Sequence, residues 1–161
     1  MRVTLSLAVL GVLIFGSEGA TFTGTKTGAV AMEMKKVTPV LYVEEIEPLL
    51  DFWKRLGFQV TGEVPEGDRL GFVMLQSGSV ELMYQTRTSV AKEAPHLADT
   101  PMGGAILFIE VGGLDAVVAA LEGSEVVVPR RTTFYGADEI TVREPGGNLV
   151  TFAEFGAVAG D

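Results

Sequence analysis

The 161-residue chain contains no cysteine, a single histidine, and only 12 basic side chains against 21 acidic ones. The absence of cysteine excludes disulfide bonds, thiolate metal sites and a cysteine nucleophile. A single histidine, His96, excludes a two-histidine metal site within one chain. The formal charge of −9 opposes binding to nucleic acids or anionic membranes, because the average surface would repel them. We therefore expect neither as a partner.

Residues 1–33 are predicted to be a leader and linker outside the globular domain. A basic residue precedes an apolar run over residues 3–15, which is too short to span a bilayer, and small residues follow. This order within residues 1–19 is typical of a secretory signal peptide and favours a periplasmic or secreted location. The alternative is that translation begins at Met32 or Met34, which would leave the protein in the cytoplasm.

The rest of the chain contains the same order of elements twice. Residues 38–60 and residues 104–128 each read as an apolar strand, an amphipathic helix, a glycine and a second apolar strand. The matching glycines, Gly57 and Gly123, are separated by 66 positions. Such a repeat indicates an internal duplication whose halves close a core against each other.

The first unit carries clear helix signals. Glu47 can cap the helix, Pro48 suits its first turn, and apolar side chains continue at helical spacing as far as Gly57. Trp53 lies on this apolar stripe and is predicted to be structural. Short turns separate three further strands, predicted at residues 58–64, 70–76 and 80–85.

The second unit follows a polar connector, residues 87–103, in which His96 is predicted to be a solvated loop residue. Its predicted elements are a strand at 106–111, a helix at 114–123, and strands at 125–128 (continuing irregularly to 135), 140–143 and 149–155. The sequence EPGGN at residues 144–148 is a strong hairpin signal. The result is an α+β chain with two tandem βαβββ modules, at residues 36–86 and 104–155.

These features resemble the vicinal oxygen chelate superfamily, which includes glyoxalase I, extradiol dioxygenases and bleomycin-resistance proteins. The most specific part is the closing segment VREPGGNLVTFAEF, with its acidic–Pro–x–Gly–Asn turn before an apolar strand. The opening Val43-x-Glu45 and the helix ending in Leu-Gly-Phe are less specific. The resemblance covers residues 36–155 and implies a U-shaped mixed sheet with helices on its convex side. It also implies a ligand site on the concave face, usually within a homodimer.

In the metal-dependent branches of the superfamily, ligands come from the first and fourth strands of each module. The corresponding positions here are Thr38, Glu81, Gly104 and Thr151. Only Glu81 is a strong ligand, because threonine is a weak neutral donor and glycine has no side chain. We therefore expect no metal and no cofactor, and the bleomycin-resistance-like branch is the closest match.

Alternation along the strands places candidate ligand-binding residues on one face of the modules. The predicted set is Thr38, Tyr42, Glu81, Met83, Gly104, Phe108, Phe134, Tyr135 and Thr151. An apolar, aromatic wall with a few polar groups is typical of a small-molecule site. We predict a homodimer that binds a small, cationic or aromatic molecule. The alternative is a lyase, isomerase or dioxygenase of the superfamily, with Glu81 as general base or metal ligand.

Overall fold

Both repeat units fold in the predicted order of strand, helix and three strands. The computed structural model describes residues 33–156, so the signal features within residues 1–19 lie outside the described part of the chain and stay a prediction. The first module consists of β1 (Val40–Val43), α1 (Glu47–Arg55), β2 (Gln59–Glu66), β3 (Arg69–Ser77) and β4 (Val80–Thr86). The second consists of β5 (Ile106–Glu110), α3 (Leu114–Ala120), β6 (Glu125–Thr132), β7 (Ala137–Arg143) and β8 (Leu149–Phe155).

The strands of residues 33–156 form two four-stranded sheets, one in each module. The strand order is β1-β4-β3-β2 in the first sheet and β5-β8-β7-β6 in the second. In each sheet the first strand pairs in parallel with the last, and the remaining neighbours are antiparallel. The α+β class and the tandem modules are therefore confirmed. None of the helices described is long and apolar enough to cross a lipid bilayer.

Each sheet packs one face on the core. The opposite face is more open in the first module, as period-two alternation requires, whereas in the second it is exposed at Ile106, Phe108 and Phe155 but buried at Glu139, Thr141 and Thr151. In β4 the side chains of Leu82 and Tyr84 are buried, whereas Glu81, Met83 and Gln85 are only partly buried. We call the face opposite the core the open face of each module. The first open face carries Val40, Tyr42, Phe72, Met74, Glu81, Met83 and Gln85, and the second carries Ile106, Phe108, Glu139, Thr141, Leu149, Thr151 and Phe155.

One hydrophobic core serves both modules. It combines Trp53 of α1 and Tyr84 of β4 with Leu114 of α3 and Phe152 of β8. Trp53 is fully buried, and its indole Nε1–H donates to the Tyr84 hydroxyl oxygen at 2.9 Å. The structural role predicted for Trp53 is therefore confirmed.

The predicted turn at residues 144–148 lies against the first module. Glu144 is buried, and its carboxylate accepts hydrogen bonds from the backbone N–H groups of Gly146 and Asn148 and from the Asn148 side-chain amide. A Cβ on Gly146 would lie 2.6 Å from the Val43 Cγ1 atom, closer than real side chains approach each other. Glycine at this position thus allows the turn to contact β1.

Glu47 does not cap α1, contrary to the prediction. Ile46 occupies the cap position without a side-chain hydrogen bond, and Glu47 is the first helical residue. Its carboxylate instead accepts a hydrogen bond from the Leu70 backbone N–H at 2.9 Å, because the start of β3 lies beside the helix. The predicted glycine end is confirmed, since Gly57 has a φ of +83°.

The connector is more ordered than the sequence predicts. It contains α2 (Arg87–Glu93) and a 3₁₀ turn (Pro95–Leu97) that includes the exposed His96. The Thr86 hydroxyl caps α2 by accepting from the Ser89 N–H. The α2 helix buries only Val90, so it lacks the apolar stripe by which a helix is recognised in sequence.

The offset of 66 positions does not hold throughout the repeat. The fully buried residues that precede and begin the two helices, Ile46 and Leu114, are 68 positions apart (114 minus 46). The helix α3 is shorter than α1, seven residues against nine, and β6 again begins 66 positions after β2 (125 minus 59), whereas β8 begins 69 positions after β4 (149 minus 80).

Replacement of Tyr84 by phenylalanine should destabilise the domain by about 1–3 kcal/mol, because the buried Trp53 N–H loses its acceptor. Chemical denaturation monitored by far-UV circular dichroism measures the change. Tyr42→Phe is the matched control, since this ring lies on the open face. Equal losses in the two variants would contradict the role given to the Trp53–Tyr84 hydrogen bond.

Glu144→Gln should change the pH dependence of stability. Burial raises the pKa of Glu144 above its ordinary value of 4.5, more than its hydrogen bonds with Gly146 and Asn148 lower it. The folded state therefore holds the proton more tightly than the unfolded chain, and the favourable contribution present in acid is lost as pH rises through the folded pKa.

The difference in unfolding free energy between Glu144→Gln and the parent protein should therefore move in favour of the variant as pH rises above about 4.5. Glu122→Gln, at an exposed carboxylate, controls for the change in net charge. Urea unfolding at several pH values gives the comparison. If the unfolding free energies of the parent protein and Glu144→Gln depend on pH in the same way, the Glu144 carboxylate does not contribute to the pH dependence of stability.

Candidate functional site

Glu81 lies on the open face of the first module. Its carboxylate contacts two residues that precede β1, Lys36 and Thr38. The Lys36 ammonium Nζ is 2.8 Å from the Glu81 Oε1 atom, and the Thr38 hydroxyl donates to the same oxygen at 2.9 Å. The side chain of Glu81 is 11% exposed and that of Lys36 is 54% exposed. The predicted proximity of Thr38 and Glu81 is therefore observed, and Lys36 is an addition that the sequence did not suggest.

The surroundings of Glu81 favour its ionised form. Its hydrogen bond with Lys36 has the largest effect and lowers the pKa of the Glu81 carboxyl; burial opposes this, the Thr38 hydroxyl lowers the pKa further, and the net pKa is below its ordinary value. A carboxylate with a lowered pKa is a weaker base than an ordinary glutamate. This geometry does not favour proton abstraction from a carbon acid.

Tyr42 and Met83 lie on the same open face but in different surroundings. Met83 is opposite Val40 on β1 and Met74 on β3, which makes the middle of this face apolar. Tyr42 borders the connector near Arg87, and the gap between them is too small to hold a water molecule. The connector thus covers the end of the face where Tyr42 lies.

Three aromatic rings meet on the open face of the second module, and we call them the aromatic cluster: Phe108, Tyr135 and Phe155. The ring centroids of Phe108 and Phe155 are 6.5 Å apart, and those of Tyr135 and Phe155 are 6.3 Å apart. The three side chains are 53%, 45% and 41% exposed, respectively. Phe134 is fully exposed, and its ring packs edge to face with that of Tyr135 at a centroid separation of 5.1 Å.

A buried carboxylate supports this cluster. Glu139 is 4% exposed, accepts a hydrogen bond from the Tyr135 hydroxyl, and accepts two from the Arg131 guanidinium, at 3.1 and 2.8 Å. The hydrogen bond from Tyr135, followed by those from Arg131, lowers the pKa of Glu139, and the same bond raises the pKa of Tyr135. Tyr135 is thereby held in a defined position.

Sequence reasoning did not identify Lys36, Arg131, Glu139 or Phe155 as site residues. The predicted seventh strand began at residue 140, which left Glu139 out of the alternation. Phe155 has the same strand parity as Thr151, and this signal was present in the sequence.

The remaining two predicted positions do not come together. Thr151 is opposite Phe108 in the sheet, and its hydroxyl is hydrogen bonded to that of Thr141 at 2.8 Å. Gly104 lies two residues before Ile106, whose partner in the sheet is Leu149. Because each strand residue advances the chain by about 3.3 Å, Gly104 and Thr151 cannot hold one ion between them.

The donor set does not fit the metal centre of the metal-dependent branches. Across residues 33–156, no three or more His, Cys, Asp or Glu side chains are grouped so that they could hold a metal ion. The hydroxyl of Thr38 is occupied by Glu81, and that of Thr151 by Thr141. The expectation that the protein works without a metal nevertheless stays a prediction.

The family model described as the Glyoxalase/Bleomycin resistance protein/Dioxygenase superfamily matches residues 35–152. The chain therefore belongs to this superfamily. Comparison with curated protein sequences found no significant match.

Solved structures share the fold. A glyoxalase/bleomycin resistance protein/dioxygenase from Nocardioides has 19% identity and a TM-score of 0.62, covering 82% of this chain and 92% of that one. TioX from Micromonospora sp. ML1 has 19% identity and a TM-score of 0.59, covering 79% and 100%. A bleomycin-binding protein complexed with bleomycin has 15% identity and a TM-score of 0.52, covering 76% and 100%.

Purified protein should contain less than one equivalent of zinc, nickel or iron per chain, and a chelator should leave its melting temperature unchanged. The reason is that one carboxylate, already paired with Lys36, does not hold a divalent ion against water. Elemental analysis and thermal unfolding with and without chelator test this. One equivalent of a metal whose removal lowers the melting temperature would contradict the description of the site.

Proposed function

We propose that this domain binds a small aromatic or cationic molecule on its open faces without a metal, and that it acts as a homodimer. The observation that carries the proposal is the aromatic cluster, in which three rings remain about half exposed on one sheet face. Exposed aromatic rings offer a large contact area with little entropy to lose, and their faces attract cations.

The cluster is also preorganised. Tyr135 is held by its hydrogen bond to Glu139, which Arg131 holds in turn. A ring that is already oriented loses less freedom when a ligand stacks on it. Because Glu139 is paired with Arg131, and the Thr141 and Thr151 hydroxyls are hydrogen bonded to each other, the face beneath the rings leaves no buried charge or hydroxyl without a partner.

The homodimer is supported by apolar residues on two of the four edge strands, β1 and β5. Val40 on β1 is 47% exposed and Ile106 on β5 is 71% exposed. A second copy of the chain would cover these edges in a closed symmetric assembly and protect them from aggregation. It would also add a wall to each open face, which a drug-sized ligand needs to bury most of its surface.

A superfamily enzyme that uses Glu81 is the other reading of the sequence, and no specific observation favours it. The lowered pKa of Glu81 weakens it as a base, and its carboxylate is already paired. The bleomycin-binding protein among the similar structures is consistent with a small-molecule ligand.

Phe108→Ala should weaken the binding of an aromatic cation, phenyltrimethylammonium, by about 2- to 10-fold, because one ring of the cluster is lost. It should change the binding of tetramethylammonium, which has no ring to stack, by less. Isothermal titration calorimetry gives both affinities, and light scattering on the same samples should give twice the chain mass.

Val60→Ala is the matched control, since Val60 is an exposed apolar residue on β2 of the other module, 44% accessible to solvent. Its affinity for both probes should equal that of the parent protein. The proposal fails if Phe108→Ala and Val60→Ala bind phenyltrimethylammonium equally well, or if the parent protein does not bind it at millimolar concentration.

A further inference from the structure

A cation supplied by the chain itself already occupies the carboxylate on which a cationic ligand would act. Lys36 precedes β1, in a stretch without regular secondary structure, and its ammonium lies 2.8 Å from Glu81. The two charges come from chain segments 45 positions apart (81 minus 36), so tertiary structure brings them together. Thr38 donates to the same carboxylate oxygen as Lys36.

We propose that Lys36 is an internal competitor for cationic ligands at Glu81, so that such a ligand binds by displacing the Lys36 ammonium from the carboxylate. This proposal rests on the proposed function and makes Lys36 a determinant of ligand charge. Glu81 and Thr38 form the acceptor site, and Lys36 fills it in the absence of ligand.

The unequal burial of the two partners supports this exchange. Glu81 is nearly buried, at 11% exposure, and a buried carboxylate without a counter-ion is strongly unfavourable. Lys36 is 54% exposed and is followed by Val37, which is 91% exposed. Its ammonium can therefore return to water at a small cost in free energy, because an ion pair with an exposed partner contributes little stability.

The direction of the exchange follows from the same asymmetry. The largely buried Glu81 loses more without a counter-ion than Lys36, which can be solvated without one. A ligand ammonium can thus replace Lys36 while the hydrogen bond from Thr38 to Glu81 is kept. A neutral aromatic ligand carries no charge that can replace the Lys36 ammonium at Glu81. Lys36 therefore makes this site selective for ligands that place a positive charge beside Glu81.

Lys36→Met should bind phenyltrimethylammonium about fivefold more tightly than the parent protein, the range expected for removing a partly exposed ion-pair partner. Methionine keeps the length and apolar stem of the side chain without its charge. Lys35→Met is the matched control, because it removes the same charge one residue earlier in the sequence and leaves Lys36, the partner of Glu81, in place. Its affinity should change by less than twofold.

The double variant Lys36→Met/Glu81→Gln separates competition from a general change in charge. The gain in affinity should disappear in it, because the acceptor carboxylate is absent. If the double variant keeps the gain, or if Lys35→Met gains as much as Lys36→Met, the competition is refuted.

A measurement without ligand tests the ion pair by itself. A ¹³C NMR titration of the Glu81 carboxyl should give a higher midpoint in Lys36→Met than in the parent protein, since the largest influence lowering it is removed. An unchanged midpoint would overturn the inference, whatever the ligand.

The two experiments distinguish the possible failures. Binding of phenyltrimethylammonium by the parent protein with no gain in Lys36→Met overturns the competition alone. A raised midpoint in Lys36→Met with no binding by any variant overturns the cationic ligand that we propose, and the competitive role with it.

Discussion

The need for one shared core governs the arrangement of this domain. A four-stranded sheet covered by a single helix of nine or seven residues buries too little apolar surface to be stable alone. The two modules therefore contribute to the same core, with Trp53 and Phe152 among its largest buried side chains. The turn at residues 144–148 extends this contact, and it does so because Gly146 has no side chain to collide with Val43. Once the helix-covered faces are used for the core, the opposite faces carry the groups that the core does not use, among them the aromatic cluster.

Charge on the open faces is handled in the same way in both modules. Glu81 and Glu139 are largely buried, and each has a basic partner, Lys36 and Arg131 respectively. Buried carboxylates without partners are unfavourable, so an acidic chain must provide such pairs or leave these positions apolar. The pairs differ in function: Arg131 and Glu139 hold Tyr135 of the aromatic cluster, whereas Lys36 and Glu81 hold no ring.

Much of the fold was predictable because its signals are local. The apolar stripe with Trp53 gave α1, and the sequence EPGGN gave the hairpin between β7 and β8. The α2 helix was missed because it buries only Val90. The capping role predicted for Glu47 was wrong because its carboxylate accepts a hydrogen bond from the Leu70 N–H, which is distant in sequence. Local patterns report burial and turns, and they carry no information about which distant segment lies alongside.

The sequence by itself determined the two βαβββ modules and the poverty of metal ligands, because strand alternation, helical spacing and side-chain chemistry belong to each segment alone. Together with the resemblance to the superfamily, it also assigned Thr38 and Glu81 to one site. Tertiary structure decided that Lys36 joins that pair, and that Gly104 and Thr151 lie apart. The physical reason is strand register: a strand's alternation fixes which face a side chain takes, whereas only the pairing between distant strands decides which side chains on that face meet.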